Sequence, residues 1–311
     1  MAGPRPRSLS NAVGIYIRWI GDGRYTRSTV DSYRSELARF QDFVRRSGRG
    51  DPLISTLDFD VVRGFQLDLG RPRTSSQGTR HLAQPTVARR LVVVRRFLRF
   101  VWDQNWFHED LAAALIVPRP ATAAPTVLDR EELEHLLGSM GASTLQEKRD
   151  RAFILMLLST GARLSDALRL DRTDLRHNEL LLGEPSDRQR TAVLTKRARG
   201  ALEAYVVARK DPSPALFIGL QPARRGARTE RLTPTGARYI CAAVARKLQI
   251  PPFGPRQLRH TTGTLLQERT GDSVLTAETL GLTSQRSVAV YRTLAQARRR
   301  LARATLEKEG L

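Results

Sequence analysis

The sequence predicts a mainly α-helical protein with one small β-sheet or hairpin, divided between two domains. Apolar residues recur at helical spacing through most of the chain, whereas strand-like segments around a tight turn are confined to residues 179–195. A proline-rich stretch, VPRPATAAPTV at 117–127, interrupts the helices. At 311 residues the chain is also longer than one core buries efficiently, so two domains suit it.

The amino-terminal segment reads as short helices joined by polar turns. Between Thr29 and Arg45, the side chains of Val30, Tyr33, Leu37, Phe40 and Val44 fall on one helical face, and Thr26 or Ser28 is placed to cap the start. A shorter helix is expected over 58–69, and the Gly-, Ser-, Thr- and Arg-rich run 70–84 reads as an exposed loop. Next, PTVARRLVVVRRFLRFVWDQ sets Val87, Leu91, Val94, Leu98 and Val101 in one apolar stripe. Arg89, Arg95, Arg96 and Arg99 lie roughly opposite it. No acidic residue occurs between 86 and 102, so these charges are expected to lack intrahelical ion pairs. The face is either simply solvated or a contact for a DNA backbone, and the four arginines are the candidates for that contact.

Three prolines at 118, 120 and 125 suit an extended linker over 117–126, separating a first domain at 8–116 from a second at 127–311. Beyond it, Asp129 with Glu132 has the spacing of a capping box, and AFILMLLS (152–159) is apolar enough to be buried whole. ELLLG and TAVLT, on either side of a turn containing Pro185, Ser186 and Asp187, read as a β-hairpin.

Composition narrows the function. Lys and Arg number 52 against 31 Asp and Glu, a net charge of +21, far from that of an ordinary metabolic enzyme. Such a field attracts a polyanion through counterion release, and nucleic acid is the leading partner. Residues 1–120 carry 20 arginines against 11 acidic residues, a net of +9 that leaves +12 to the remainder, so both domains are expected to touch the partner. Only five of the cations are lysine, which reads either as the coding bias of a GC-rich genome or as use of the bidentate guanidinium fork. The single cysteine, Cys241, excludes an intramolecular disulfide framework and a Cys-cluster zinc site and suits a reducing compartment. No apolar run approaches the ~20 residues of a membrane span, and MAGPRPRSLS lacks a signal peptide's apolar stretch. A cytoplasmic protein is expected.

The second half carries the chemistry. In order, LLSTGARLSDALRL (157–170), PRQLRHTTGTLL (255–266) and LGLTSQRSVAVY (280–291) resemble three boxes of the tyrosine recombinase (phage integrase) family. Those boxes have the forms T-G-x-R-x-S-E-x-x-x-L, H-x-L-R-H-T-x-A-T-x-L and L-G-H-S-x-x-x-T-x-x-Y. The charged run after Tyr291 resembles the tail that family members dock into a neighbouring subunit, and STVDSYRSELARFQDFV with PTVARRLVVVRRFLRFV resembles the core-binding domain, so the likeness runs from about residue 10 to 305.

The resemblance implies a helical, SAM-like core-binding domain followed by an α+β catalytic domain. It implies a site-specific recombinase that cleaves and rejoins double-stranded DNA through a covalent 3′-phosphotyrosine, leaving a free 5′-hydroxyl. Tyr291 takes the place of the nucleophile, Arg163 and Arg259 those of the phosphate-binding arginines, and Asp166 that of a supporting acid. Arg256 and His260 complete the catalytic set, His260 being equally readable as a packing residue. Arg188 and Arg190 of the hairpin are assigned to DNA binding. No metal or other cofactor is implied. The implied partners are a specific recombination site in double-stranded DNA, further copies of the chain in a tetramer on that DNA, and room for a partner recombinase.

Elementary chemistry agrees: in-line attack on a phosphodiester needs a placed oxygen and fixed positive charge around the equatorial oxygens, which two guanidiniums supply. No carboxylate cluster in the sequence reads as a magnesium site. Three positions depart from the family. Arg256 stands where the family has histidine, Leu282 where it has histidine or tryptophan, and Glu184 where it has the hairpin lysine, with Lys196 the nearest lysine beyond the second strand. Arginine cannot take the tyrosine proton, and leucine donates no hydrogen bond. These departures keep open a second reading, a DNA-binding relative weakened in cleavage that plays a structural or regulatory part. A basic nucleic-acid binder unrelated to recombination is the third.

Overall fold

The computed structural model describes residues 8–75, 78–119, 124–184, 187–220 and 230–308. The chain divides into two compact units, Met1–Thr122 and Ala123–Leu311. Of the stretch 117–126, residues 120–123 lie outside the described residues and the others form no helix or strand.

The first unit is built on four helices: α1 (Leu9–Gly21), α2 (Arg27–Val44), α3 (Phe59–Gly70) and α4 (Gln84–Asp103), with β1 (Arg73–Ser75) and β2 (Gly78–Arg80) between the last two. Short polar side chains start three of the helices by accepting orphan backbone N–H groups: Ser8 from Asn11, Thr26 from Thr29 and Asp58 from Val61. Of the two caps open in the sequence, Thr26 is therefore the one used. The periodic apolar residues turn inward, and Tyr16, Leu37, Phe40, Phe65, Leu91 and Phe97 are fully buried, with Phe40 edge-on to Phe65 at 5.0 Å between centroids.

Two expectations are corrected here. The run 70–84 is not all loop: β1 and β2 pair antiparallel, Thr74 opposite Thr79, and Gly78 at φ 106° gives the backbone a turn that other residues resist. The arginine face of α4 is also less free of ion pairs than its own sequence suggests. Arg99 pairs with Asp103 one turn on, at 3.2 Å, and with Asp110 at 3.0 Å, just beyond the acid-free window. The fifth arginine of that helix, Arg90, is buried against Glu36 of α2 at 3.2 Å.

In the second unit a capping box opens α5 (Arg130–Ser139): Asp129 accepts from the Glu132 N–H while Glu132 accepts from the Asp129 N–H. A second box, Thr144 with Glu147, opens α6 (Leu145–Thr160), whose stretch Ala152–Leu157 is buried on every side, as its unbroken apolar sequence requires. After α7 (Leu164–Arg169) comes an antiparallel sheet in the order β3 (Leu175–Arg176), β4 (Glu179–Glu184), β5 (Asp187–Val193). The hairpin read from the sequence is β4 and β5; the two-residue β3 is too short to leave an alternation pattern. Leu180, Leu182 and Ala192 face the core from this sheet. The rest is helical: α8 (Lys196–Ala208), α9 (Pro234–Leu248), α10 (Pro255–Thr270), α11 (Ser273–Leu280) and α12 (Gln285–Lys308). Of these α10 is central, packing against both α6 and α12.

Candidate active site

Two helix ends create the site. The αL glycines Gly161 and Gly281, at φ 57° and 60°, stop α6 and α11 and aim their terminal carbonyls outward. The two turns touch: a Cβ on Gly161 would lie 2.3 Å from Leu280 Cδ2, so only glycine lets the second turn approach this closely. Carbonyls at helix C-termini carry partial negative charge and attract cations.

Three guanidiniums gather on them. Arg163, at the start of α7, donates to Gly281 O at 2.8 Å. Arg259 of α10 donates to Gly161 O at 2.5 Å and to Leu280 O at 2.7 Å. Arg190 of β5 donates to Thr160 O at 3.1 Å. Asp166 lies 3.9 Å from Arg163 and is the acid of the group. Burial lowers the pKa of Arg259, and burial together with the neighbouring Arg259 and Arg163 brings that of Arg190 down to about 10, against the opposing pull of Asp166.

Tyr291 closes the cluster from α12. It is 3% exposed and lies close enough to Arg259 for that charge to act on its phenol. Burial raises the phenol pKa, while Arg259, Arg256 and Arg163 pull it back. The ring leans on α10 at Gly263, where a Cβ would meet its Cδ1 and Cε1 at 2.7 Å. The family box has alanine there, so this glycine makes room for the tyrosine ring in the middle of a helix, where it costs about 1 kcal/mol of propensity.

His260 lies beside the same ring, 5.7 Å between centroids. Arg256 donates from Nε to its Nε2 at 3.3 Å, which places the imidazole proton on Nδ1, a buried atom without a hydrogen-bond partner among the described residues. Burial, Arg256 and Arg259 lower its pKa, so the ring is neutral at pH 7. Leu282 is half-buried and anchored by its own N–H to Ala277 O at 2.8 Å.

Of the residues proposed from the sequence, Tyr291, Arg163, Arg259, Arg256 and His260 thus share one centre. Arg190, assigned to DNA binding from the sequence, lies at the same two turns, donating to Thr160 O. On β5 it has the same parity as the core-facing Ala192 and Leu194, the one sequence signal that could have turned it inward. Arg89, Arg95, Arg96 and Arg99 remain exposed on α4 in the other unit. There Arg89 donates to Ser32, and Arg96 to Tyr33 at 2.6 Å and Tyr25 at 3.4 Å. The side chains of Arg188 and Glu184 lie outside the described residues, and Lys196 is an exposed residue opening α8.

Residues 126–298 match the Phage integrase family. The chain is 30% identical to tyrosine recombinase XerD of Caulobacter vibrioides over 85% of each chain, and 30% identical to that of Mycobacterium tuberculosis over 85% of this chain and 86% of the relative. The integrase of transposon Tn1549, solved in complex with a circular intermediate DNA, superposes with a TM-score of 0.69 at 16% identity, covering 96% of this chain and 99% of that one. A lambda integrase dimer bound to a core site gives 0.66 at 13% identity, covering 92% and 95%. The order of the boxes, the meeting of their residues at the paired glycine turns and these likenesses have one explanation: the chain belongs to the phage integrase family and is a tyrosine-type site-specific recombinase.

Proposed function

We propose that the protein cleaves and rejoins double-stranded DNA at a specific site, with Tyr291 forming a covalent 3′-phosphotyrosine. The observation that carries this reading is the burial of Tyr291 against α10, its ring over Gly263 and beside His260, at the edge of a cluster of guanidiniums on two glycine turns. A guanidinium has five donors, so Arg163 and Arg259 can hold the helix-end carbonyls and still present a fork to a phosphate. The phosphate then sits within reach of the phenol oxygen. Attack forms the Tyr291 O–P bond and breaks the bond from phosphorus to the 5′-oxygen, which leaves as the free hydroxyl once protonated. His260, neutral and beside the ring, takes the phenol proton, which Arg256 cannot, on its Nε2, and this requires Nε2 to exchange the Arg256 N–H for the phenol. Reversal by a 5′-hydroxyl from a second strand rejoins the DNA and needs no energy source, since the phosphodiester is stored in the covalent link.

The arginine face of α4 is assigned to the DNA backbone, through Arg89, Arg95, Arg96 and, less freely, Arg99. Arg188 is assigned to the same partner. The working assembly is a tetramer on DNA, with further copies or a partner recombinase, acting in the cytoplasm on the nucleoid. Through Arg299, α12 is anchored in its own chain: Arg298 pairs with Glu268 and donates to Leu128 O at 2.7 Å, and Arg299 donates to Glu268 O. Docking in a neighbour therefore falls to the segment beyond, where Leu301 is exposed.

A weakened relative that binds without cutting is favoured by one observation, the leucine at 282. A site selected from randomised duplexes and nicked beside the scissile phosphate distinguishes the two. Cleavage traps the protein on the DNA as an adduct that survives denaturation; specific binding without an adduct establishes the non-cutting relative instead.

A further inference from the structure

We infer that Arg190 is a catalytic residue of this centre, a third phosphate-binding guanidinium delivered by β5. The inference rests on the proposed cleavage at Tyr291 and extends it to a residue outside the three family boxes. Arg190 Cδ and Nε lie 3.0 Å from where a Cβ on Gly281 would stand, and Arg163 Nη1 lies 4.0 Å from the same point. It shares the turn 160–161 with Arg259: one donates to Thr160 O, the other to Gly161 O. All three cations therefore border the same two turns.

A purely structural arginine at such a depth normally neutralises a carboxylate. Arg209 does so in this unit, paired with Asp211 at 2.6 Å and donating to the carbonyls of Ala215 and Leu216. Arg190 differs, for among the described residues it has no carboxylate at ion-pair distance, and its one hydrogen bond goes to a carbonyl. Its half-buried charge faces two like charges and is only partly compensated by Asp166. A group of three cations with one acid is unfavourable when empty and favourable around an anion, most of all around the doubly charged phosphorane of the transition state. Arg190 thereby supplies the positive donor that Leu282 and Glu184 do not. As a fixed fork it contributes charge and direction; it transfers no proton.

The test uses the full chain on the nicked substrate. Arg190→Ala and Arg190→Gln are expected to slow adduct formation by ~10²-fold, the usual effect of losing one transition-state donor, with specific DNA affinity falling only a few-fold, and Arg190→Lys to restore part of the rate. A second substrate carries a methylphosphonate at the scissile position, which removes one negative charge. On it the gap between wild type and Arg190→Ala is expected to shrink to a few-fold. A gap of equal size on both substrates, or a rate loss that tracks a lowered melting temperature, makes Arg190 a support for the 160–161 turn and overturns the inference. So does an Arg190→Ala protein as fast as wild type. A wild-type protein that forms no adduct removes the cleavage reading itself, and the inference falls with it.

Discussion

At the scale of single residues, the centre was legible wherever chemistry demands a residue type at fixed spacing. Arg163 follows its glycine turn, Arg259 precedes His260, and Tyr291 stands nine residues beyond Leu282; all three meet in space. Arg190 was not legible as part of the set, because its approach to Gly281 depends on the register that sets it opposite Leu182. Gly263 was equally silent, since the tyrosine ring and Leu280 lying against it are what explain a glycine in mid-helix. Leu282 remains the sharpest departure. Leu282→His is expected to speed adduct formation by ~10-fold while leaving DNA affinity nearly unchanged, as a donor added for the transition state should. A slower enzyme with a lowered melting temperature would mean that the half-buried position has been rebuilt around leucine, with the imidazole buried unsatisfied at a cost of ~1 to 3 kcal/mol.

At the scale of elements, helix starts and apolar stripes were readable because caps and periodicity are local. The capping box of α5 and the buried run in α6 lie where the sequence puts them. The β1–β2 ribbon and the strand β3 were not, since pairs of two or three residues carry no periodic signal. One element-level interaction has a measurable pH signature. Glu147 caps α6 and binds Lys247 of α9 at 2.6 Å, and the Lys247 hydrogen bond, with those from the Thr144 and Ser143 N–H groups, lowers its pKa from 4.5 to about 2. A depressed carboxylate stabilises the fold above its unfolded value and loses that contribution as pH falls through its folded one. Thermal melts of Glu147→Gln are therefore expected to show a shallower loss of stability than wild type between pH 4.5 and about 2. Parallel curves through that window would show that the ion pair does not couple to folding.

At the scale of the whole molecule, the excess positive charge is spread over both halves of the chain. Removal of residues 1–116 is expected to weaken DNA binding and flatten its dependence on salt, because the slope falls by about 0.9 for every phosphate that the shortened protein leaves unneutralised. An unchanged slope would exclude the first unit from the DNA backbone. The central claim, that Tyr291 is the nucleophile of a working recombinase, is tested most directly by locating the covalent bond. The adduct trapped on nicked DNA is digested with nuclease and protease, and the nucleotide-bearing peptide is sequenced by mass spectrometry. The account predicts a 3′-phosphodeoxynucleotide on Tyr291 and no adduct from Tyr291→Phe at undiminished DNA binding; a nucleotide on any other side chain, or an adduct that persists in Tyr291→Phe, would contradict it.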